Sequence, residues 1–348
     1  MGLTVVTIVG IGVVATQNTG SASGTDTPTT LAYQPPAAPP AEVTSSSSVK
    51  HLLQITTTPA LLKGHQAPIN ALAFSSDGAI LASGSDDKTI RWWNPATKEL
   101  EKTLPPLTSR VTQLAFSSDD RWFAALTGDE TLHLYNGRTG KPRAVWSQEL
   151  PYTSISFVPG QDRIVTTSAA GSELWDLRRG QRLQQLYVAG SSARVSDDGK
   201  ILAGGANDGK LGIWNLAKPD VVSLHTDAPV LDIANAEKSD RMAVLLTDHS
   251  VQDWLINADV RQIEGRLPAG TGDEVTSFMT LAPNGQELAL ETKAGEVNVY
   301  WAKDLSNQFS LSRDVRANGA MCFSPDGTTL VTGDVNNDIQ IWRIQLVG

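Results

Sequence analysis

Five histidines and one cysteine are the side chains of this 348-residue chain best suited to metal or nucleophilic chemistry. A zinc or iron site needs several imidazoles, thiolates or carboxylates to converge, and a nucleophile needs a base within reach. His51, His65, His133, His225 and His249 show no paired spacing. His133, two residues before Tyr135, reads as a satisfied strand residue. Cys322 is alone, which excludes an internal disulfide and reads as a small buried hydrophobe in the run AMCF. No heme-attachment motif, nucleophile elbow or phosphate-binding glycine loop occurs, and GTGD at 270–273 lacks a strand-to-helix context. The expectation is no catalytic residue, no metal and no cofactor.

The elements that carry these residues repeat. Trp93, Tyr135, Trp175, Trp214, Trp254, Tyr300 and Trp342 follow one another at spacings of 42, 40, 39, 40, 46 and 42. A period near forty, each unit closed by an aromatic, predicts propeller blades of four short strands. A turn precedes five of these aromatics: SSDG at 75–78, SSDD at 117–120, SDDG at 196–199, APNG at 282–285 and SPDG at 324–327. In all five, the third turn residue lies 16 positions before the aromatic. Asp-Gly and Pro-Asp-Gly suit a tight antiparallel connection. The flanking runs, INALAF and AILASGS or VTQLAF and WFAALT, are nearly continuous in apolar and small residues, as expected for strands covered on both faces. Trp92 and Trp122 lie within that pattern and are expected to be buried.

From about Gly64 to Ile344 the chain resembles the WD-repeat family, most fully in its first repeat. That repeat has Gly64-His65, LASGS, Asp87, Thr89-Ile90 and Trp93-Asn94. The resemblance implies a buried hydrogen-bonded network of His65, Ser83, Asp87 and Trp93. Elsewhere Asp129, Asp208 and Asp248 keep the Asp position, while Ala169, Ala294 and Asn336 replace it, and Trp-Asp survives only at Trp175-Asp176. The fold expected is all-β: a seven-bladed β-propeller of four-stranded antiparallel blades. Because the chain reaches Gly348 soon after Trp342, the last blade needs an outer strand from elsewhere, and 53–62 (LQITTTPALL) is expected to supply it, closing the ring.

Three segments are expected. Residues 1–15 hold the thirteen-residue apolar run LTVVTIVGIGVVA, short for a membrane span and close to a signal-peptide core, though no Lys or Arg precedes it. It reads as an export signal or the remnant of a membrane anchor. Residues 16–50, rich in Ser, Thr, Pro and Ala with QPPAAPP at 34–40, read as a disordered stalk. Residues 51–348 are the propeller. An apolar start before a stalk points to a bacterial protein outside the cytoplasmic membrane, tethered or secreted; without export it would be cytoplasmic.

The net charge of −9 and pI near 5.1 disfavour nucleic acid as a partner. In the WD-repeat family one end of the ring is built by the loops entering each inner strand and joining the second and third strands. In this sequence those loops hold Asp86, Asp87, Asp129, Glu130, Asp208, Asp227, Asp248, Asp273, Glu274, Asp314 and Asp334 against Lys88, Arg110, Lys293 and Arg316. Several, Asp87 above all, are expected to cap turns; together they favour a protein partner with a basic segment. Loop position selects Gln66, Lys88, Arg110, Glu130, Tyr152, Asn207, His249, Glu274, Arg316 and Asn336 as partner-binding candidates. The function expected is a non-catalytic protein-interaction scaffold. The alternatives are a propeller enzyme, hydrolase or lactonase-like, or a small-ligand sensor with a central-channel site, or the sensory C-terminal part of a longer membrane protein.

Overall fold

The computed structural model describes residues 52–55, 59–147, 152–186, 192–205, 209–216, 221–256, 261–267, 275–311 and 317–347. The described residues belong to one unit, Val49–Gly348. They form an all-β, seven-bladed propeller. Blade one shows the plan: Ile69–Phe74 lines the axis, then Leu81–Ser85, Ile90–Asn94 and Glu99–Thr103 follow outward, each antiparallel to the last. Five further blades repeat it, with inner strands Val111–Phe116, Tyr152–Phe157, Ala193–Val195, Val230–Asn235 and Val275–Leu281.

Burial follows position in the blade. The second strands Trp122–Thr127 and Glu287–Thr292 are buried throughout, whereas the outer strand Glu99–Thr103 is exposed throughout. The cause is face-to-face stacking, which covers both sides of the middle strands. Seven apolar clusters result, each straddling two neighbouring blades. One joins Leu81 and Trp93 of blade one to Ala320 and Val331 of blade seven, another joins Trp122 and Leu134 of blade two to Ile155 and Ile164 of blade three, and the rest complete the circle. No blade owns a core, so stability is a property of the interfaces between modules.

Blade seven is closed as its sequence requires. Its strands Ala317–Phe323, Thr329–Asp334 and Ile339–Val347 gain an outer neighbour in two pieces. Leu52 to Ile55 pair with Val347 to Ile344, and Ala60 to Leu62 pair with Ile341 to Ile339. Leu62 is buried in the cluster between blades seven and one.

The turns explain the Ser-x-Asp-Gly signature. Ser75 Oγ donates to Asp77 Oδ1 at 2.7 Å, the Gly78 N–H donates to the Ser75 carbonyl at 2.9 Å, and Gly78 sits at φ 71°. Blade two has Asp120 in the glycine's place at φ 55°. Its carboxylate accepts the Ser76 N–H and hydroxyl, each at 2.7 Å, and so ties two blades together.

Candidate functional site: loop face and central channel

In blade one the predicted network is assembled around Ser83. Its hydroxyl lies 2.7 Å from His65 Nε2 and accepts the Trp93 indole N–H at 2.8 Å. His65 Nδ1 lies 2.8 Å from Asp87 Oδ2, which also accepts the Gln66 N–H at 3.0 Å. Burial opposes ionisation of Asp87, but the bonds from Thr89, Gln66 and His65 outweigh it and bring its pKa down to about 2. Burial lowers the His65 pKa against the pull of Asp87. The other blades improvise: Trp175 and Trp342 donate to Thr166 and Thr332, and Trp254 donates to Gln252. In blade four, the Trp214 ring fills the space a side chain on Gly212 would need.

The same end of the ring carries a row of left-handed turn residues joining second and third strands. Lys88, Glu130, His249 and Asn337 take φ of 66°, 68°, 65° and 67°, while Gly209 and Gly295 take 78° at the equivalent position. Five positions separate each of the six from its closing aromatic. Four side chains therefore sit where glycine would be conformationally cheaper.

Lys88, Glu130, Gln66, Arg110 and Asn336 are exposed and His249 is half-buried. Arg110 lies along Gly128 on the neighbouring turn. Asn336 precedes the left-handed residue and donates its N–H to Asp334; Asn337 was missed by loop position alone, yet the five-residue offset from Trp342 marks it. Tyr152 is a correction. Its side chain is buried on the inner strand of blade three, where the register shift between Tyr152 and Ser154 carries it into the interface. Among the described residues its hydroxyl has no hydrogen-bond partner, and burial pushes its pKa up to about 12. Asn207, Glu274 and Arg316 lie outside the described residues, as do Asp208, Asp273 and Asp314.

Most of the loop carboxylates that are described are held by hydrogen bonds, several of them within their own turns. Asp86 accepts from Asn70, Asp129 from Thr108 and Thr127, Asp248 from Ser250, and Asp334 from the backbone of Asn336 and Asp338. Asp227 takes Gln252 and Arg266. Capping does not discharge them: the Thr108 and Thr127 hydroxyls hold the exposed Asp129 below the usual carboxylate range.

Down the axis runs a cavity of ≈ 510 Å³ lined by all seven inner strands. Ala73, Ala115, Ser156, Arg194, Ala234, Thr280 and Cys322 occupy one register around it, each paired with the residue nine positions later on the second strand. Cys322 is half-buried at this ring rather than sealed in a core, and burial raises its thiol pKa. Arg194 was not selected from sequence, although counting back 20 residues from Trp214 finds it. Along the channel, polar side chains bridge adjacent inner strands. Asn70 donates to the Val111 carbonyl, Ser154 and Ser156 accept the N–H groups of Ala193 and Val195, and Asn235 donates to the Val195 carbonyl. Trp92 and Trp122 are buried as expected. His133 is half-buried, and among the described residues its enclosed Nε2 lacks a hydrogen-bond partner, contrary to the satisfied strand residue expected. His225 ends an outer strand, and His51 lies outside the described residues. Among the described residues no three His, Cys, Asp or Glu side chains are grouped as metal ligands.

A family model described as "WD domain, G-beta repeat" matches residues 56–94, 98–136 and 317–343. These three segments match WD repeats. Human apoptotic protease-activating factor 1 is 22% identical over 295 residues, covering 81% of this chain and 22% of that protein. Protein tipD of Dictyostelium discoideum is 22% identical over 285 residues, covering 80% of this chain and 40% of that one. The chain thus spans well under half the length of these relatives. Among solved structures, the WD40 repeats of RRP9 superpose with a TM-score of 0.72 at 16% identity, covering 84% of this chain and 100% of that one. The Cps50 (Swd1) β-propeller domain of Myceliophteria_thermophila gives 0.73 at 15% identity, with 82% and 100% covered. At such identity the likeness shows the fold alone, a β-propeller.

Proposed function

We propose that this WD40 propeller is a non-catalytic interaction scaffold that receives a basic segment of a protein partner on its loop face. The observation that carries the reading is the row of Lys88, Glu130, His249 and Asn337, held left-handed on a rigid ring where glycine would cost less. Lys88 and Glu130 are exposed there, and side chains retained at a conformational cost on an exposed turn are free to serve a partner. The ionised Asp129 and exposed Glu130 beside them supply the charge complementary to a basic segment. The apolar run and Pro-rich stretch of 1–50 support a place outside the cytoplasmic membrane, tethered or secreted.

The test is affinity capture from envelope extract with the full chain and its Asp129→Asn/Glu130→Gln variant at low and high salt. A partner retained by the parent and lost by both the variant and high salt supports the reading. Equal retention in all arms refutes it. Cell fractionation with mapping of the mature N-terminus tests the location: a full-length cytoplasmic chain would contradict it.

A further inference from the structure

The ring at Arg194 departs from its own repeat. The other six blades place Ala, Ser, Thr or Cys at that register, which keeps the channel open, and blade four alone projects a guanidinium into it. Arg194 donates Nη1–H to the Ala193 carbonyl at 3.0 Å. Asp232 Oδ1 forms an ion pair with Arg194 at 4.0 Å from Nη2, too long for a hydrogen bond. Asp232 also accepts the Ile233 N–H. A guanidinium carries five N–H donors and does not lose its charge inside a protein. Arg194 lines the cavity, and only one of its donors makes a hydrogen bond among the described residues. Lys238, the other cation lining it, is spent on the Pro325 carbonyl at 2.7 Å.

The walls say which anion fits. Ala73, Phe74, Ala115, Phe116 and Met321, all half-buried, supply apolar surface, while Asp197 and Glu237 place carboxylates around the same cavity. A multiply charged anion is repelled there. A single planar carboxylate on an apolar body matches the fork, the walls and the volume. We propose that the central channel binds a small organic monocarboxylate through a bidentate pair with Arg194. The proposal is independent of the loop face, because it concerns the axis of the ring.

The test titrates the full chain with benzoate and with inorganic phosphate by calorimetry, and follows the arginine side-chain ¹⁵N resonances. Benzoate is expected to bind once per chain and to shift the Arg194 guanidinium signal, with phosphate weaker. Arg194→Gln is expected to weaken benzoate by about tenfold or more, Arg194→Lys to lie between, and Arg110→Gln to leave it unchanged. The arginine resonance reads the parent protein and needs no variant to fold. Absence of benzoate binding, an unmoved Arg194 signal, phosphate tighter than benzoate, or undiminished binding in folded Arg194→Gln would each overturn the proposal.

Discussion

Gln113 clamps Ile155 across the gap between blades two and three: its side-chain oxygen accepts the Ile155 N–H at 3.0 Å, and its nitrogen donates to the Ile155 carbonyl at 3.2 Å. An inner strand has a free edge toward the axis, and one amide here satisfies both groups of one residue on it. Gln113→Ala is expected to cost about 1–2 kcal/mol, limited by channel water that can replace the lost bonds. Amide exchange at Ile155 should quicken more than at Val165; equal protection in the variant would show that the clamp carries no stability.

Ring closure makes the propeller depend on residues far apart in sequence. Deleting 51–62 removes the partners of Ile339–Val347 and uncovers the core around Leu62. The chain should stay soluble but melt roughly 10 °C lower. A melt matching the parent's would disprove closure by these strands.

Two sets of buried groups pull stability in opposite directions with pH. Asp87 sits at about 2 against an ordinary 3.8, so its contribution, about 2 kcal/mol, is present above pH 4 and lost as pH falls toward 2. His65, also lowered, likewise favours the fold above its ordinary 6.5 and loses that contribution on acidification. Burial raises Glu291 from 4.5 to about 7 against the opposing Gly319 N–H, so its contribution is present below pH 4.5 and lost as pH rises to 7. Glu291→Gln should therefore gain stability relative to the parent between pH 5 and pH 8, by up to about 3 kcal/mol. Denaturant titration at the two pH values checks this, and parallel curves would refute it.

Lys88→Gly and Glu130→Gly should each stabilise the ring by about 1 kcal/mol, since glycine takes the left-handed turn without a Cβ clash. If those side chains serve a partner, the same variants lose binding while gaining melting temperature. Destabilisation by either would mean that it braces the fold.

The propeller was legible because its signals are local: turn, strand run and aromatic sit in fixed register within each repeat. The contacts between repeats were not. Gln113, Asn70, Ser154 and Asn235 act on residues about forty positions away, where hydrophobic pattern gives no cue. Tyr152 was misplaced because PYTS reads as a loop, and a one-residue register shift decides which way the ring faces. Blades six and seven widen that shift, between Val275 and Met279 and between Ala317 and Met321, which seats Phe278 against Gly319. Arg194 escaped because its message lies in contrast with six other blades rather than in any motif.

Hydrogen exchange of the captured complex tests the loop-face account most directly. Protection is predicted at the turns around 85–88, 127–130, 246–250 and 334–338, with outer strands and the Ser-x-Asp-Gly turns unchanged. Protection confined to the outer strands or to those lower turns would contradict it.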